Sequence, residues 1–468
     1  MKQQREHWGS HFGMIMAAAG SSIGLGTLWQ FPYLVGENGG GLFVLVYLVA
    51  TFFIGVPVFI AELILGRQAQ RGAVGVFDSL KKNSVFWRGV GWLGVLTSFI
   101  IMSYYSVVAG WGLNYVFMSL NQFYVNKTPA EISQVFDSLQ SAGGMTLFWN
   151  FIFTALTIAV VLRGVRKGIE YWSRILIPSL IVLLLGLFLY SISLPGFSEA
   201  FSFIFRPNFQ NFKISGALTA LGMAFMTMSL GQGVILTYGS YMKHSEKIPS
   251  TACIIGGMDI VVSIISSLMI FPIIFTYNAD LGAGPGLVFK TLPMLFARMP
   301  AALLISTAFF ALFTFTALTS AIALIEVVAA NFIDLFEWSR KKAVLITGAA
   351  SFIFGIPSAL SWSGSIFPSW KLLYGKNFFE TMVSLIANWT LPIGGLLTAL
   401  FGGWVLTKKL AFAEFDTEGK STTLFFIWRI FIRYLAPVAI ILIILQGVGV
   451  IDIDSIFTGT SRLQEVAT

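Results

Sequence analysis

The stretch 20-GSSIGLGTLWQFPY-33 lies in the middle of the first long apolar run of the chain. Gly20, Gly24 and Gly26 interrupt it, Ser21 and Ser22 add hydroxyls, and Pro32 follows. These residues are poor helix interiors. In a soluble chain such glycines would point to a phosphate loop, but that loop needs a preceding strand, and none is legible here.

Composition places the break in a membrane. Of 468 residues, 56% are hydrophobic and 11% are charged, against roughly 25% charged in soluble domains. Mean hydropathy is +0.82. Apolar runs of about 20 residues, enough to cross a bilayer, recur near 11–35, 41–66, 89–120, 147–163, 172–195, 214–241, 249–277, 300–336, 343–360, 378–406 and 424–446. No cleaved signal peptide is read at residues 1–13, which are polar, so the first span is expected to be retained.

The net charge of +8 sorts by side. With the N-terminus inside, the outer side holds Lys127, Arg206, Lys213, Lys290, Arg298, Lys371, Lys376 and Arg462, and the rest of the 29 basic residues gather inside or near that face. An odd number of spans then puts the C-terminus outside. The basic excess is a topology signal, and nucleic acid is not an expected partner. The single cysteine, Cys253, excludes an intrachain disulfide, and three scattered histidines give no metal cluster. Loop 67–88 is basic and partly amphipathic, which predicts an interfacial helix. Loop 279–298 carries 282-GAGPGLVF-289, and its Leu287, Val288, Phe289 and Leu292 are expected to pack onto the helices as a lid.

A second break, 229-SLGQG-233, lies in the sixth span and repeats the Ser-x-Gly-x-Gly of 22-SIGLG-26. An offset of five spans makes the two segments cross in opposite directions. Matched interruptions in two halves mark an inverted-repeat transporter and its binding site. Freed N–H groups at a helix terminus attract a carboxylate, and freed carbonyls suit a hard cation. Close packing of small residues is the competing reading of either site alone.

The chain resembles the neurotransmitter:sodium symporters, in particular their bacterial amino-acid transporters of the LeuT type. The resemblance rests on 5-REHWGS-10, the opening stretch with 37-ENGGG-41, 62-EL-63 with 66-GR-67, 104-YY-105, 163-RGVRKGIE-170, 227-TMSLGQG-233 with 238-YGSY-241, 283-AGPGLVF-289 and 316-TALTSAIAL-324. It implies one all-α polytopic transporter domain over 1–468. Repeat one spans about 10–195, repeat two about 214–406, and an eleventh helix about 424–446.

It also implies roles. One sodium site would use the carbonyls of Gly20, Ile23 and Thr316 with the hydroxyls of Thr319 and Ser320. Residues 316, 319 and 320 share a helix face by spacing alone, although isolated hydroxyls more often bond back to their own helix. The other sodium site is altered: Ser22 and Thr227 match the family, but Thr27 and Asp259 stand where side-chain amides are usual. A membrane-embedded acid is a functional candidate in its own right. Chloride-dependent relatives place Tyr, Gln and Ser beside this site; here Tyr47 and Ser263 match and Met223 replaces Gln. Asp259 is therefore expected to supply the fixed negative charge, so that chloride is not required.

The resemblance further puts a substrate carboxylate on the N–H groups of Leu25 and Gly26 and on Tyr105. It puts the ammonium at Ser22, Met226, Thr227 and Ser229. Gly24, where monoamine carriers have Asp, implies a substrate that brings its own carboxylate. The side-chain pocket maps to Ile101, Val108, Met226, Gln232, Ser320, Ala321 and Leu324, mostly apolar, which favours a hydrophobic or aromatic amino acid. Arg5, Trp8, Ser240, Tyr241 and Asp334 match the inner gate, and Gln30 with Glu380 would form a hydrogen-bonded outer gate. The expected protein is a multi-pass symporter of the inner membrane with a monomeric functional unit. A channel would need a continuous polar pore, and an enzyme would need a nucleophile–base or metal set that the sequence does not offer.

Overall fold

The structure is a computed structural model that describes residues 5–207, 213–279, 285–416, 422–451, 453 and 454. Lys2, Gly282, Ala283, Gly284, Lys420 and Arg462 lie outside the described residues. The described residues form helices and a single isolated bridge, Gly40 to Pro207.

The first span is broken. Helix α1 (His11–Ser22) and helix α2 (Gly26–Glu37) meet at a 55° bend. Ser10 caps α1 by accepting the Gly13 N–H, and α1 ends where Gly24 N–H turns back to the Ser22 carbonyl at 2.8 Å. Next come α3 (Gly41–Ala69), α4 (Ala73–Leu80), α5 (Val85–Leu120), α6 (Pro129–Ser141), α7 (Gly143–Val161), α8 (Val165–Ile192) and α9 (Phe197–Phe205). The sixth span is broken too, into α10 (Ile214–Thr227) and α11 (Val234–Gly239). The chain continues through α12 (Ile248–Thr276), α13 (Leu287–Phe296), α14 (Ala302–Phe336), α15 (Arg340–Ala359), α16 (Trp370–Val405), α17 (Lys408–Phe415) and α18 (Thr422–Gly447).

Among the described residues, nine of these helices are long and apolar enough to cross a membrane and the α1–α2 pair makes a tenth; α10, where the sequence places a sixth span, is a shorter apolar helix followed by α11. The shorter elements follow local rules. Thr128 and Glu131 form a reciprocal capping box at the start of α6. Helix α4, in the predicted amphipathic loop, buries Val74, Val76 and Phe77 and exposes Lys81 and Lys82 beyond its end. Leu287, Val288, Phe289 and Leu292 of α13 are fully buried, and the Tyr115 hydroxyl donates to the Phe289 carbonyl at 2.9 Å. The apolar loop thus packs onto the helices as its composition required.

Helix α5 is the spine of the site. It is 36 residues long and largely buried. Its Ile101, Tyr105 and Val108, spaced at three or four residues, face one cavity, and Ser98, three residues before Ile101, bonds the Gln232 carbonyl.

Candidate functional site

The two breaks face each other. At the second, Ser229, Gly231 and Gly233 have positive φ angles of 55°, 76° and 78°. Glycine takes this conformation without strain; at position 231 a Cβ would also lie 2.4 Å from the Leu391 carbonyl oxygen. The freed Gly231 N–H donates to Glu62 Oε1 of α3 at 2.8 Å. The Ser229 hydroxyl donates to the Ser21 carbonyl at 2.7 Å and so ties one break to the other. Glu62 is fully buried. Its role escaped the sequence reading, although an acid inside an apolar span was the available signal.

Between the breaks lies a cavity of about 660 Å³. Its wall includes Ser22, Gly24, Leu25, Gly26, Ile101, Tyr105, Val108, Met226, Thr227, Ser229, Gln232, Ser320 and Leu324. The structure therefore brings together the substrate-site residues read from the sequence, with one correction. Ala321 is fully buried and does not reach the cavity. On α14 it sits about 100° around from Ser320, and Ala323, on the Ser320 side, lines the wall instead. The Leu25 N–H points at the Tyr105 hydroxyl, 3.4 Å away. A Cβ on Gly24 would lie 3.1 Å from Ser320 Oγ and 3.7 Å from the Tyr105 hydroxyl, so the bare glycine leaves room for an anion beside both.

Two clusters of oxygens flank the cavity. In one, Ser320 Oγ donates to the Gly20 carbonyl at 3.2 Å, and Thr319 Oγ1 donates to the Thr316 carbonyl at 2.9 Å. The side chain of Thr319 lies against Gly20. Ile23, at the same break, is fully buried. In the other cluster, Thr27 Oγ1 donates to Asp259 Oδ1 at 3.1 Å and lies 3.5 Å from the Ser22 carbonyl. The Tyr47 hydroxyl donates to Asp259 Oδ2 at 2.6 Å and approaches Thr227 Oγ1 at 3.0 Å and Ser263 Oγ at 3.3 Å. Asp259 has no exposed surface. Among the described residues its hydrogen-bond partners are all hydroxyls, which leaves a full charge for a cation to balance. A carboxylate, hydroxyls and carbonyls are the donor set that a hard cation takes.

One end of the cavity is shut. Arg5 reaches both oxygens of Asp334 at 2.6 Å and the Ser240 hydroxyl at 2.6 Å, and its guanidinium lies over the Tyr241 ring. Trp8 donates its indole N–H to the Tyr238 carbonyl at 3.1 Å and packs edge-on against Tyr241. This network extends beyond the residues expected from sequence. The Tyr241 hydroxyl donates to Glu326 Oε1 at 2.5 Å, and Arg340 donates to Glu326 Oε2 at 2.6 Å.

The other end runs out between Gln30, Tyr33, Lys376 and Glu380. The expected outer-gate pair, Gln30 and Glu380, lines this open end. No hydrogen bond joins Gln30 to Glu380; Glu380 Oε2 accepts the Asn377 N–H at 3.0 Å, as the capping partner of its own helix.

The family model described as the sodium:neurotransmitter symporter family matches residues 5–128 and 121–455. The uncharacterized sodium-dependent transporter YhdH of Bacillus subtilis is 36% identical over 96% of this chain and 99% of its own length. An uncharacterized sodium-dependent transporter of Haemophilus influenzae is 31% identical over 95% of this chain and 98% of its own. Among solved structures, MhsT in complex with L-phenylalanine superposes with a TM-score of 0.87 at 38% identity, covering 95% of this chain and 100% of that one.

Proposed function

The chain belongs to the sodium:neurotransmitter symporter family and has its LeuT-type transporter fold; from that premise we propose that it imports an α-amino acid with a hydrophobic or aromatic side chain, coupled to sodium. That it is a sodium-dependent transporter of this family, and not an enzyme, follows from its relatives. The substrate class rests on one observation: Gly24 leaves space beside the Leu25 N–H and the Tyr105 hydroxyl, where a carboxylate fits. The phenylalanine in the MhsT complex supports the same reading.

The substrate carboxylate takes Leu25, Gly26 and Tyr105, and its ammonium takes Ser22, Met226, Thr227 and Ser229. One sodium ion is held at Gly20, Ile23, Thr316, Thr319 and Ser320. The other is held at Ser22, Thr27, Thr227 and Asp259, next to the substrate. Asp259 balances that ion, so chloride is not needed. Sodium and substrate bind as reciprocal partners because both order the same two breaks. The Arg5–Asp334 gate is cytoplasmic, the mouth at Glu380 faces outward, and the C-terminus lies outside. The functional unit is a monomer in the inner membrane.

The test is uptake of each of the twenty amino acids into proteoliposomes, with an inward gradient of sodium or of potassium. The reading requires saturable, sodium-dependent uptake of hydrophobic or aromatic members. Uptake that ignores sodium, or that collapses when gluconate replaces chloride, refutes the corresponding part.

A further inference from the structure

Gln232 puts a carboxamide on the cavity wall. Its backbone is held on several sides. The Ser98 hydroxyl of α5 donates to the Gln232 carbonyl at 2.6 Å. The Gly231 N–H before it is anchored by Glu62, and Gly231 and Gly233 fix the turn at positive φ. A Cβ on Gly94 would lie 3.5 Å from the Gln232 carbonyl carbon, so α5 and the broken span are in close contact here. The side chain is the opposite case. It is only 7% exposed, it lines the cavity, and its carboxamide has no hydrogen-bond partner among the described residues. The hydroxyls of Ser229, Ser320 and Thr227 on the same wall all have partners.

Position along the cavity gives that carboxamide its meaning. Tyr105 marks the carboxylate end. Ser98, which holds Gln232, lies two turns of α5 away, about 10 Å at 1.5 Å per residue. It lies toward the α4 end, where Gly72 N–H donates to Asp334 of the closed gate. The wall that Gln232 shares carries the apolar Ile101, Val234 and Leu324. A substrate whose carboxylate sits at Tyr105 thus directs its side chain toward an apolar wall that contains one unpartnered amide.

We propose that Gln232 is the specificity-determining residue of this pocket, reading a hydrogen-bonding group at the far end of an aromatic substrate side chain. Tyrosine and tryptophan are then preferred to phenylalanine and leucine. The proposal rests on the amino-acid reading above. A phenol O–H or indole N–H donates to the amide oxygen, whereas an apolar tip covers the amide and leaves it unpaired. A site built to bond a substrate hydroxyl rejects the analogue that lacks it for the same reason. Because this cavity is open at one end, the expected preference is modest, about tenfold.

The experiment is calorimetric titration of the purified full-length protein in sodium buffer with tyrosine, tryptophan, phenylalanine and leucine, repeated with Q232M, which keeps the side-chain volume. The wild-type protein should bind tyrosine about tenfold more tightly than phenylalanine, and Q232M should reverse the order. Equal affinities in the wild type, or a Q232M protein with the ratio unchanged, overturn the proposal. If Q232M does not fold, the wild-type ratio alone decides. If none of the four binds in a sodium-dependent way, the amino-acid reading fails and this one fails with it.

Discussion

Replacing Asp259 with asparagine probes the altered sodium site with little change in shape. Asparagine can still accept the Tyr47 hydroxyl, which now sits 2.6 Å from Oδ2, and its amide can donate to Thr27 Oγ1, now 3.1 Å from Oδ1. What disappears is a charge buried among hydroxyls. A charge-assisted contact contributes about 1.5–3 kcal/mol, and tenfold in affinity corresponds to about 1.4 kcal/mol. Sodium half-saturation of substrate binding should therefore rise by roughly tenfold to a hundredfold in D259N. Without sodium the effect on the fold runs the other way. The wild-type chain buries an uncompensated charge, which is expensive, so sodium-free D259N should melt at the wild-type temperature or above it. The ranking of amino acids should not change, because Asp259 does not line the cavity. The assay is a sodium titration of radioligand binding to purified protein in chloride and in gluconate, with melting followed in parallel. A half-saturation within twofold of wild type, or a D259N protein markedly less stable without sodium, would refute the argument that this carboxylate balances the ion.

The remaining expectations concern the gate, the carboxylate end and the break. R5A removes contacts to Asp334 and Ser240 that are partly screened, worth about 1–2 kcal/mol. In a C253A background, thiol labelling of a cysteine placed on the closed side of the cavity should rise by about tenfold in sodium without substrate. Y105F should weaken substrate binding by about tenfold while leaving the apparent sodium affinity at saturating substrate unchanged, as read by ligand competition. G231A forces a side chain into the left-handed region and against the Leu391 carbonyl. It should cost about 2 kcal/mol or more and abolish substrate binding, as seen in melting and binding measured on one preparation.

Much of this protein is written along the chain, because the membrane makes local composition decisive. Apolar length set the spans, since a backbone in lipid must satisfy its own hydrogen bonds, and helices α3, α5, α12 and α14 begin and end within a few residues of the apolar runs. The glycines of 20-GSSIGLGTLWQFPY-33 and 229-SLGQG-233 located both breaks, and the resemblance pointed to Leu25, Gly26 and Tyr105, which line one cavity. What the sequence could not set are relations between side chains far apart in it. Glu62 serves the second break from 169 positions away, Tyr241 reaches Glu326 at the gate, and Ala321 turns out of the cavity while Ala323 turns in. Glu380, which the resemblance sets opposite Gln30, is the capping partner of Asn377, three residues before it. Each of these outcomes depends on which face of a helix meets which neighbour. Composition and period determine that a helix forms and crosses; its rotation and its partners are decided only when all the helices pack.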